Sequence, residues 1–143
     1  MDQRLNIITL GVTDLNVSSE FYESNFGWKR ASSSNDDIRF YQLNGILFSL
    51  YPANKLAEDA GISINSTSGY RPLSIAYNAH SEEEVNAMIA DLRIKGVQII
   101  KEPQKVFWGG YSSYVADPDG FLWEIAFNPF LPMDEKGNVL KHE

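Results

Sequence analysis

Residues 108–129 read WGGYSSYVADPDGFLWEIAFNP, and this stretch decides the fold. It predicts two adjacent strands joined by a turn at 116–120, because Asp, Pro and Gly each favour tight turns. The spacing of a calcium-binding loop is absent from the turn. The second strand carries Glu124 among apolar neighbours, where an unpaired carboxylate is costly to bury. Glu124 is therefore the first candidate functional residue.

A second hairpin in the first half of the chain matches this one. Asn44-Gly45 joins the apolar runs 38–43 and 46–51, which is a strong hairpin signal. When Gly45 is set against Gly120, four apolar positions align and Ser49 falls opposite Glu124. The two halves therefore pair residue by residue.

Each half predicts the order strand, helix, strand, strand, strand. The pattern places the first-half strands at 7–12, from 28 to 30, 38–43 and 46–51, and the second-half strands at 73–78, 97–101, 111–116 and 121–127. Thr13-Asp14 predicts one helix start, and the capping box from Ser81 to Glu84 predicts the other. The glycines of the two hairpins are 75 positions apart (120 − 45), whereas the two helix starts are 67 positions apart (80 − 13). The second half therefore contains eight extra residues after its helix start, and we place them in the loop 102–110. An internal repeat of this kind predicts a duplicated module with a shared core.

The repeat sets the expected domain organisation. We expect a first module at 1–52, a linker at 53–69 with a short helix at 55–60, a second module at 70–130 and a tail at 131–143. In the tail we expect a turn at 134–137, with Val139 and Leu140 docked on the body.

Composition narrows the classes of function. The 143 residues include 19 acidic and 12 basic side chains, a net charge of -7, without a basic cluster of the kind that nucleic-acid binding needs. The absence of cysteine excludes thiol nucleophiles and disulfides. The first apolar run is too short for a signal sequence or a membrane span, so we expect a cytoplasmic protein. A negative field favours cationic ligands.

Two segments carry a family resemblance, GVTDLNVSSEFYESNFGW at 11–28 and ADPDGFLWEIAFNP at 116–129. With D-L-x-x-S-x-x-F-Y and D-P-D-G-x-x-W-E in a duplicated order, residues 4–130 resemble the vicinal oxygen chelate superfamily of glyoxalases, extradiol dioxygenases and bleomycin-resistance proteins. The resemblance implies an α+β fold, in which two tandem βαβββ modules form a curved eight-stranded sheet around a cavity. It also implies a homodimer, the commonest closed assembly.

The same resemblance gives four positions for metal ligands, on the first and fourth strands of each module. They fall on Ile7, Ser49, Ser74 and Glu124. Isoleucine cannot ligate and a lone serine hydroxyl is a poor ligand, so we expect neither a metal nor another cofactor. His80 precedes the second helix and His142 lies in the tail, so neither completes the set.

The leading hypothesis is a metal-independent small-molecule binding protein with a largely apolar, aromatic cavity that Glu124 orients. The alternatives are a lyase, isomerase or dioxygenase in which Glu124 is catalytic, and a protein that acts through its surface. Glu124 is otherwise a structural carboxylate bonded to Arg39, a tyrosine or an amide. Strand alternation directs Trp123 towards the helices and Glu124 towards the cavity. The candidate ligand-binding residues are Glu124, Ser49, Ser74, Ile7, Trp108, Tyr111 and Arg39.

Overall fold

A computed structural model describes residues 3, 6–61, 71 and 73–140. The chain divides into two compact units, Met1–Tyr70 and Arg71–Glu143, and each is described by itself. The described residues form three helices and seven strands in two sheets, so the α+β class is confirmed. No helix in these ranges is long and apolar enough to cross a membrane.

The first unit is a three-stranded sheet with two helices. Its elements are β1 (Ile7–Val12), α1 (Leu15–Ser24), β2 (Arg39–Gln42), β3 (Leu47–Pro52) and α2 (Ala53–Ala60). The strand order is β1-β3-β2, with β1 parallel and β2 antiparallel to β3. The hairpin prediction is confirmed, because Gly45 has a φ of 80° and the Leu43 amide donates to the Ile46 carbonyl at 2.9 Å.

The predicted strand at 28–30 is wrong. This segment makes only a single bridge, from Arg30 to Tyr41. Gly27 has a φ of 72°, and the Trp28 amide donates to the Tyr22 carbonyl at 3.1 Å, so the backbone here closes the end of α1. The Trp28 ring then stacks on Tyr22 at 5.4 Å, inside a cluster of aromatic side chains.

Helix α1 begins as the sequence predicts. Asp14 is the N-cap and accepts from the amides of Asn16 and Val17, each at 3.0 Å. The buried side of the helix includes two small polar residues, Ser18 and Ser19, while Val17 is half-exposed.

The second unit is a four-stranded sheet with one helix. Its elements are β4 (Ser74–Asn78), α3 (Glu82–Ile94), β5 (Gln98–Lys105), β6 (Tyr111–Ala116) and β7 (Leu122–Phe127). The order is β4-β7-β6-β5, with β4 parallel to β7 and the other pairs antiparallel.

Strand β5 is longer than the sequence predicts, because residues 102–105 continue the strand instead of forming a loop. β5 lies at the edge of the sheet, and its pairing with β6 shifts register between Lys101 and Gln104. Pro103 is tolerated there because an edge strand at a bulge does not need its amide.

The start of α3 follows the predicted cap with one change. The Ser81 hydroxyl accepts a hydrogen bond from the Glu84 amide at 3.1 Å, as in a capping box. The Glu84 carboxylate, however, accepts from the amide of His80 at 2.6 Å, one residue before the cap, instead of from the amide of Ser81. α3 has 13 residues and α1 has 10, so three of the eight extra residues lie in the helix rather than in the loop 102–110.

The turn at 134–137 is confirmed by the Gly137 amide, which donates to the Asp134 carbonyl at 3.0 Å. Val139 and Leu140 are 58% and 49% exposed, so they do not dock as expected. His142 lies outside the described residues.

Candidate functional site

Each sheet has one face against its helices and one opposite face. In the second unit the helix side is identified by Tyr111, whose hydroxyl donates to Asn86 of α3 at 2.8 Å. Trp123 lies on that side and is buried, as strand alternation predicts. We call the opposite surface the Glu124 face. By the strand pairings it comprises Ser74, Ala76 and Asn78 of β4, Leu122, Glu124 and Ala126 of β7, Ser112, Tyr114 and Ala116 of β6, and Gln98, Lys101 and Gln104 of β5.

Glu124 lies at the centre of this face. It is on β7, between Ala76 of β4 and Tyr114 of β6. The Ser112 hydroxyl donates to Glu124 Oε1 at 2.8 Å. Ser112 is buried and Glu124 half-buried, so the hydroxyl holds one carboxylate oxygen from below the accessible surface.

The cation nearest to Glu124 in the strand pairing is Lys101, which lies opposite Tyr114 on the same face. Among the described residues of the second unit no Lys, Arg or His forms an ion pair with this carboxylate. A half-buried carboxylate with a hydroxyl donor and apolar neighbours can accept hydrogen bonds from a ligand, pair with a cation or take a proton.

Trp108 lies at the tip of the β5–β6 hairpin. Its ring covers Gly110, where an ideal Cβ would be 1.7 Å from Cζ3 of the indole. The turn is closed by the Gly109 amide, which donates to the Val106 carbonyl at 3.0 Å. Trp108 is therefore placed by a hydrogen-bonded turn, with 36% of the residue exposed.

The corresponding surface of the first unit is centred on Ser49; we call it the Ser49 face, and it comprises Ile7, Thr9, Phe40, Leu47, Ser49 and Tyr51. The hydroxyls of Thr9 and Ser49 are 2.6 Å apart. Ser49 is buried, whereas Ile7 is half-exposed. α2 borders this face, because an ideal Cβ on Gly11 would be 3.1 Å from Leu56 Cδ2.

Two of the candidate ligand-binding residues lie on helix sides instead. Tyr111 faces α3, as its bond to Asn86 shows. Arg39 pairs with Leu50 rather than Ser49, and its guanidinium donates to Asn16 of α1 at 3.0 Å and to the Asn35 carbonyl. Arg39 is buried there. The two sheets thus place Ile7 and Ser49 on one face, and Ser74 and Glu124 on another, without Tyr111 or Arg39.

Another polar cluster on the helix side of the first unit joins α1 to β2. The buried Tyr41 hydroxyl donates to Glu23 Oε1 at 3.0 Å, and Arg30 Nε donates to the same oxygen at 2.8 Å. Burial, followed by the hydrogen bond to Glu23, raises the pKa of Tyr41 well above its ordinary value. This cluster packs the helix on the sheet.

The donor atoms at the four family ligand positions do not fit a divalent metal. Ile7 has no donor, the Ser49 hydroxyl is bonded to Thr9, and Ser74 offers only a hydroxyl. In the described ranges there is also no group of three or more His, Cys, Asp and Glu side chains that could hold an ion. Glu124 alone is a good metal ligand, and one carboxylate does not make a selective site.

Sequence reasoning missed Ser112, Thr9 and Gly110. All three would follow from strand alternation once the register is known. Ser112 and Gly110 are two and four residues before Tyr114, the partner of Glu124, so they fall on the same side of the strand as Tyr114. Thr9 pairs directly with Ser49. The register itself depends on pairing between distant strands.

Comparisons with known proteins agree with this fold. A sequence model of the Glyoxalase/Bleomycin resistance protein/Dioxygenase superfamily matches residues 4–125. A glyoxalase-related enzyme from Fulvimarina pelagi, whose structure is solved, shares 36% sequence identity with this chain. The match covers 99% of each chain, with a TM-score of 0.86. None of the curated proteins compared with the sequence matches it.

More distant solved structures share the fold alone. A glyoxalase/bleomycin resistance protein/dioxygenase from Nocardioides is 22% identical, with 89% of this chain and 84% of that chain covered and a TM-score of 0.79. A lactoylglutathione lyase from Agrobacterium tumefaciens is 17% identical, with 90% and 96% covered and a TM-score of 0.70.

Proposed function

We propose, from the premise that the chain belongs to the glyoxalase/bleomycin resistance protein/dioxygenase superfamily, that it binds a small organic molecule on the Glu124 face without a metal. The observation that carries the proposal is the carboxylate of Glu124, which the buried hydroxyl of Ser112 orients at 2.8 Å.

The surroundings of Glu124 suit a ligand site. Ala76 and Leu122 supply apolar contact, and Tyr114 supplies an aromatic one. Small-molecule sites combine such apolar surface with a few placed polar groups. The net charge of -7 favours approach of ligands that carry a positive group.

Metal-free binding is favoured over metal-dependent chemistry because three of the four family ligand positions, Ile7, Ser49 and Ser74, lack a good metal ligand.

The second candidate function is a metal-free lyase or isomerase with Glu124 as general base, and the resemblance to a glyoxalase-related enzyme supports it. In heavy water, a base at this site would take the acidic C–H proton of a bound carbonyl compound, exchange it with solvent and return a deuteron to the same carbon. Loss of that exchange in Glu124→Gln would support the enzyme, whereas binding without exchange supports the binding protein.

Calorimetric titration with a bleomycin-type compound tests the proposal. We expect saturable binding that weakens by about tenfold or more in Glu124→Gln, because a hydrogen bond or ion pair to a charged group is lost while the shape is kept. Glu135→Gln is the matched control, since it removes the same charge from an exposed turn of the same unit. Absence of binding at millimolar ligand, or equal binding by both variants, would overturn the proposal.

We also propose that the protein works as a two-fold homodimer, the assembly that the family resemblance implies. Light scattering coupled to size-exclusion chromatography should give twice the 16.1 kDa mass of the chain. A monomer mass at micromolar concentration would refute the dimer and leave the ligand proposal standing.

A further inference from the structure

The turn between β2 and β3 carries Asn44-Gly45, the one Asn-Gly step in the sequence. Both residues are exposed. Gly45 has a φ of 80°, and an ideal Cβ built on it would meet none of the described residues within 4 Å, apart from its own chain neighbours. The tip of this hairpin is therefore open to water and uncrowded.

The backbone nitrogen of Gly45 is available as a nucleophile. The hairpin is closed beside it by the Leu43 amide, which donates to the Ile46 carbonyl at 2.9 Å. No hydrogen bond among the described residues uses the Gly45 amide, and an exposed amide of this kind donates to water. Glycine also has no side chain to shield its nitrogen. Attack by this nitrogen on Cγ of Asn44 closes a five-membered succinimide ring, and such intramolecular reactions are strongly favoured by proximity.

We propose that Asn44-Gly45 is a self-modification site, at which the folded chain converts Asn44 to aspartate or isoaspartate in water. Hydroxide takes the proton of the Gly45 amide, and the nitrogen attacks Cγ of Asn44. The bond from Cγ to the side-chain nitrogen breaks, and ammonia leaves with a proton from water.

Water then opens the ring at one of its two carbonyl carbons. Cleavage of the bond between Cγ and the Gly45 nitrogen gives aspartate, whereas cleavage of the bond between the main-chain carbonyl carbon and that nitrogen gives isoaspartate. One water is consumed and one ammonia is released, without oxidation or reduction. The inference does not depend on the proposed function.

The equivalent turn of the second unit has a protected nitrogen. The internal repeat aligns Asp119-Gly120 with Asn44-Gly45. The Gly120 amide donates to the Asp117 carbonyl at 3.0 Å, and the Asp119 amide donates to Asp117 Oδ1, also at 3.0 Å. The Gly120 nitrogen must lose its hydrogen bond before it can attack the preceding side chain. The fold thus protects one of two turns that the sequence makes alike.

The isoaspartate product changes the hairpin that contains it. Its main chain runs through Cβ and Cγ, which adds one carbon atom to the turn. Turn length and type set the register of a hairpin, and β3 behind this turn carries the buried Phe48, Ser49 and Leu50. The isoaspartate form should therefore unfold at a lower temperature than the fresh protein. The aspartate form keeps the backbone and adds one negative charge to a chain of net charge -7.

The test compares the two turns in one molecule. Asp119→Asn makes the second turn Asn-Gly as well, with almost no change of shape. The full chain is incubated in mildly alkaline buffer at physiological temperature, and peptide mapping by mass spectrometry follows both positions. In the folded protein Asn44 should convert about tenfold faster than position 119 or more, because a nitrogen held out of the attack geometry slows an intramolecular reaction. In concentrated urea the two rates should converge.

Asn44→Gln is the control, because its longer side chain would have to close a six-membered ring, and modification at position 44 should disappear. A methyltransferase specific for isoaspartate, supplied with labelled S-adenosylmethionine, distinguishes isoaspartate from aspartate. Anion exchange then isolates the isoaspartate form for thermal unfolding, and an unchanged unfolding temperature would refute the effect on the hairpin.

Equal rates at the two positions of folded Asp119→Asn would overturn the proposal. So would an unmodified Asn44 after an incubation that converts it in urea. Far-ultraviolet circular dichroism shows whether the variants are folded. If Asp119→Asn is not, the wild type provides the same comparison: Asn44 should convert in native buffer and in urea, whereas isomerisation of Asp119 should occur in urea alone. Isomerisation of Asp119 in native buffer would contradict the protection of its turn.

Discussion

Ser112 and Glu124 are hydrogen-bonded diagonally across two neighbouring strands, with Ser112 Oγ 2.8 Å from Glu124 Oε1. The residues directly opposite each other are Ser112 and Ala126, and Tyr114 and Glu124. The carboxylate therefore leans along its strand towards Ser112. A buried hydroxyl restricts the rotamers of a half-buried acid, which reduces the entropy lost when a ligand binds.

We expect Ser112→Ala to weaken ligand binding by about threefold to tenfold, which corresponds to the net free energy of one typical hydrogen bond. This loss of affinity should be smaller than the loss in Glu124→Gln. Ser113→Ala is the matched control, because Ser113 is also buried and donates at 2.7 Å to the Ile125 carbonyl on the α3 side. The control should lower stability without changing affinity. If both variants change affinity equally, Ser112 does not act through Glu124.

The Tyr41 hydroxyl gives stability a defined dependence on alkaline pH. The pKa of Tyr41 is raised above its ordinary value of 10.0 by burial and by the bond to Glu23, so the folded chain holds this proton more tightly than the unfolded chain does. The contribution is complete below about pH 10 and is lost as the pH rises through 10 towards the folded pKa. Urea unfolding from about pH 8 to about pH 11 measures it.

Tyr41→Phe isolates this effect from other titrations. The variant should be less stable by about 1–2 kcal/mol at neutral pH, since Glu23 loses a donor. Its free energy of unfolding should fall less steeply above about pH 10 than that of the wild type. Parallel curves for the two proteins would contradict the assignment.

The carboxylate of Asp117 is predicted to hold the turn before β7. It is buried, and its Oδ1 accepts from the Asp119 amide at 3.0 Å and the Phe121 amide at 2.8 Å. Asp117→Ala should cost roughly 1–3 kcal/mol by leaving the buried Phe121 amide without an acceptor, whereas Asp117→Asn should cost less. Thermal unfolding with and without calcium completes the measurement, and a calcium-dependent shift would show that the turn is a cation site.

Metal removal should leave ligand binding unchanged. The chain is purified without a histidine tag, dialysed against a chelator and titrated as before, with metal content measured by mass spectrometry. We expect no stoichiometric divalent ion, because Glu124 is the one strong ligand among the four family positions. A stoichiometric ion that disappears in Glu124→Gln would contradict both the donor-set argument and the proposed function.

The sequence correctly predicted the helix cap and the tight turns, which depend only on residues close together in the chain. Asp14 caps α1, and Gly45 and Gly120 take the positive φ that their turns require, because each depends on a few adjacent residues. The alternation of Trp123 and Glu124 also held, since it depends only on the period of a strand.

Features that depend on distant pairing could not be predicted. Arg39 and Tyr111 are on strands as expected, but their side depends on register, and both face helices. The Ser112–Glu124 bond depends on the same register. At Trp28 the aromatic packing outweighed the strand pattern, and at Pro103 an edge position allowed a strand that composition disfavours.

The strand orders have a consequence for biosynthesis. In each unit the strand made first pairs with the strand made last, β1 with β3 and β4 with β7. β4 leaves the ribosome long before β7 is translated, and among the described strands β7 is the only one that pairs with it. A nascent chain that ends between Ala116 and Leu122 therefore exposes an unpaired strand edge, which makes such truncated products targets for chaperones and proteases.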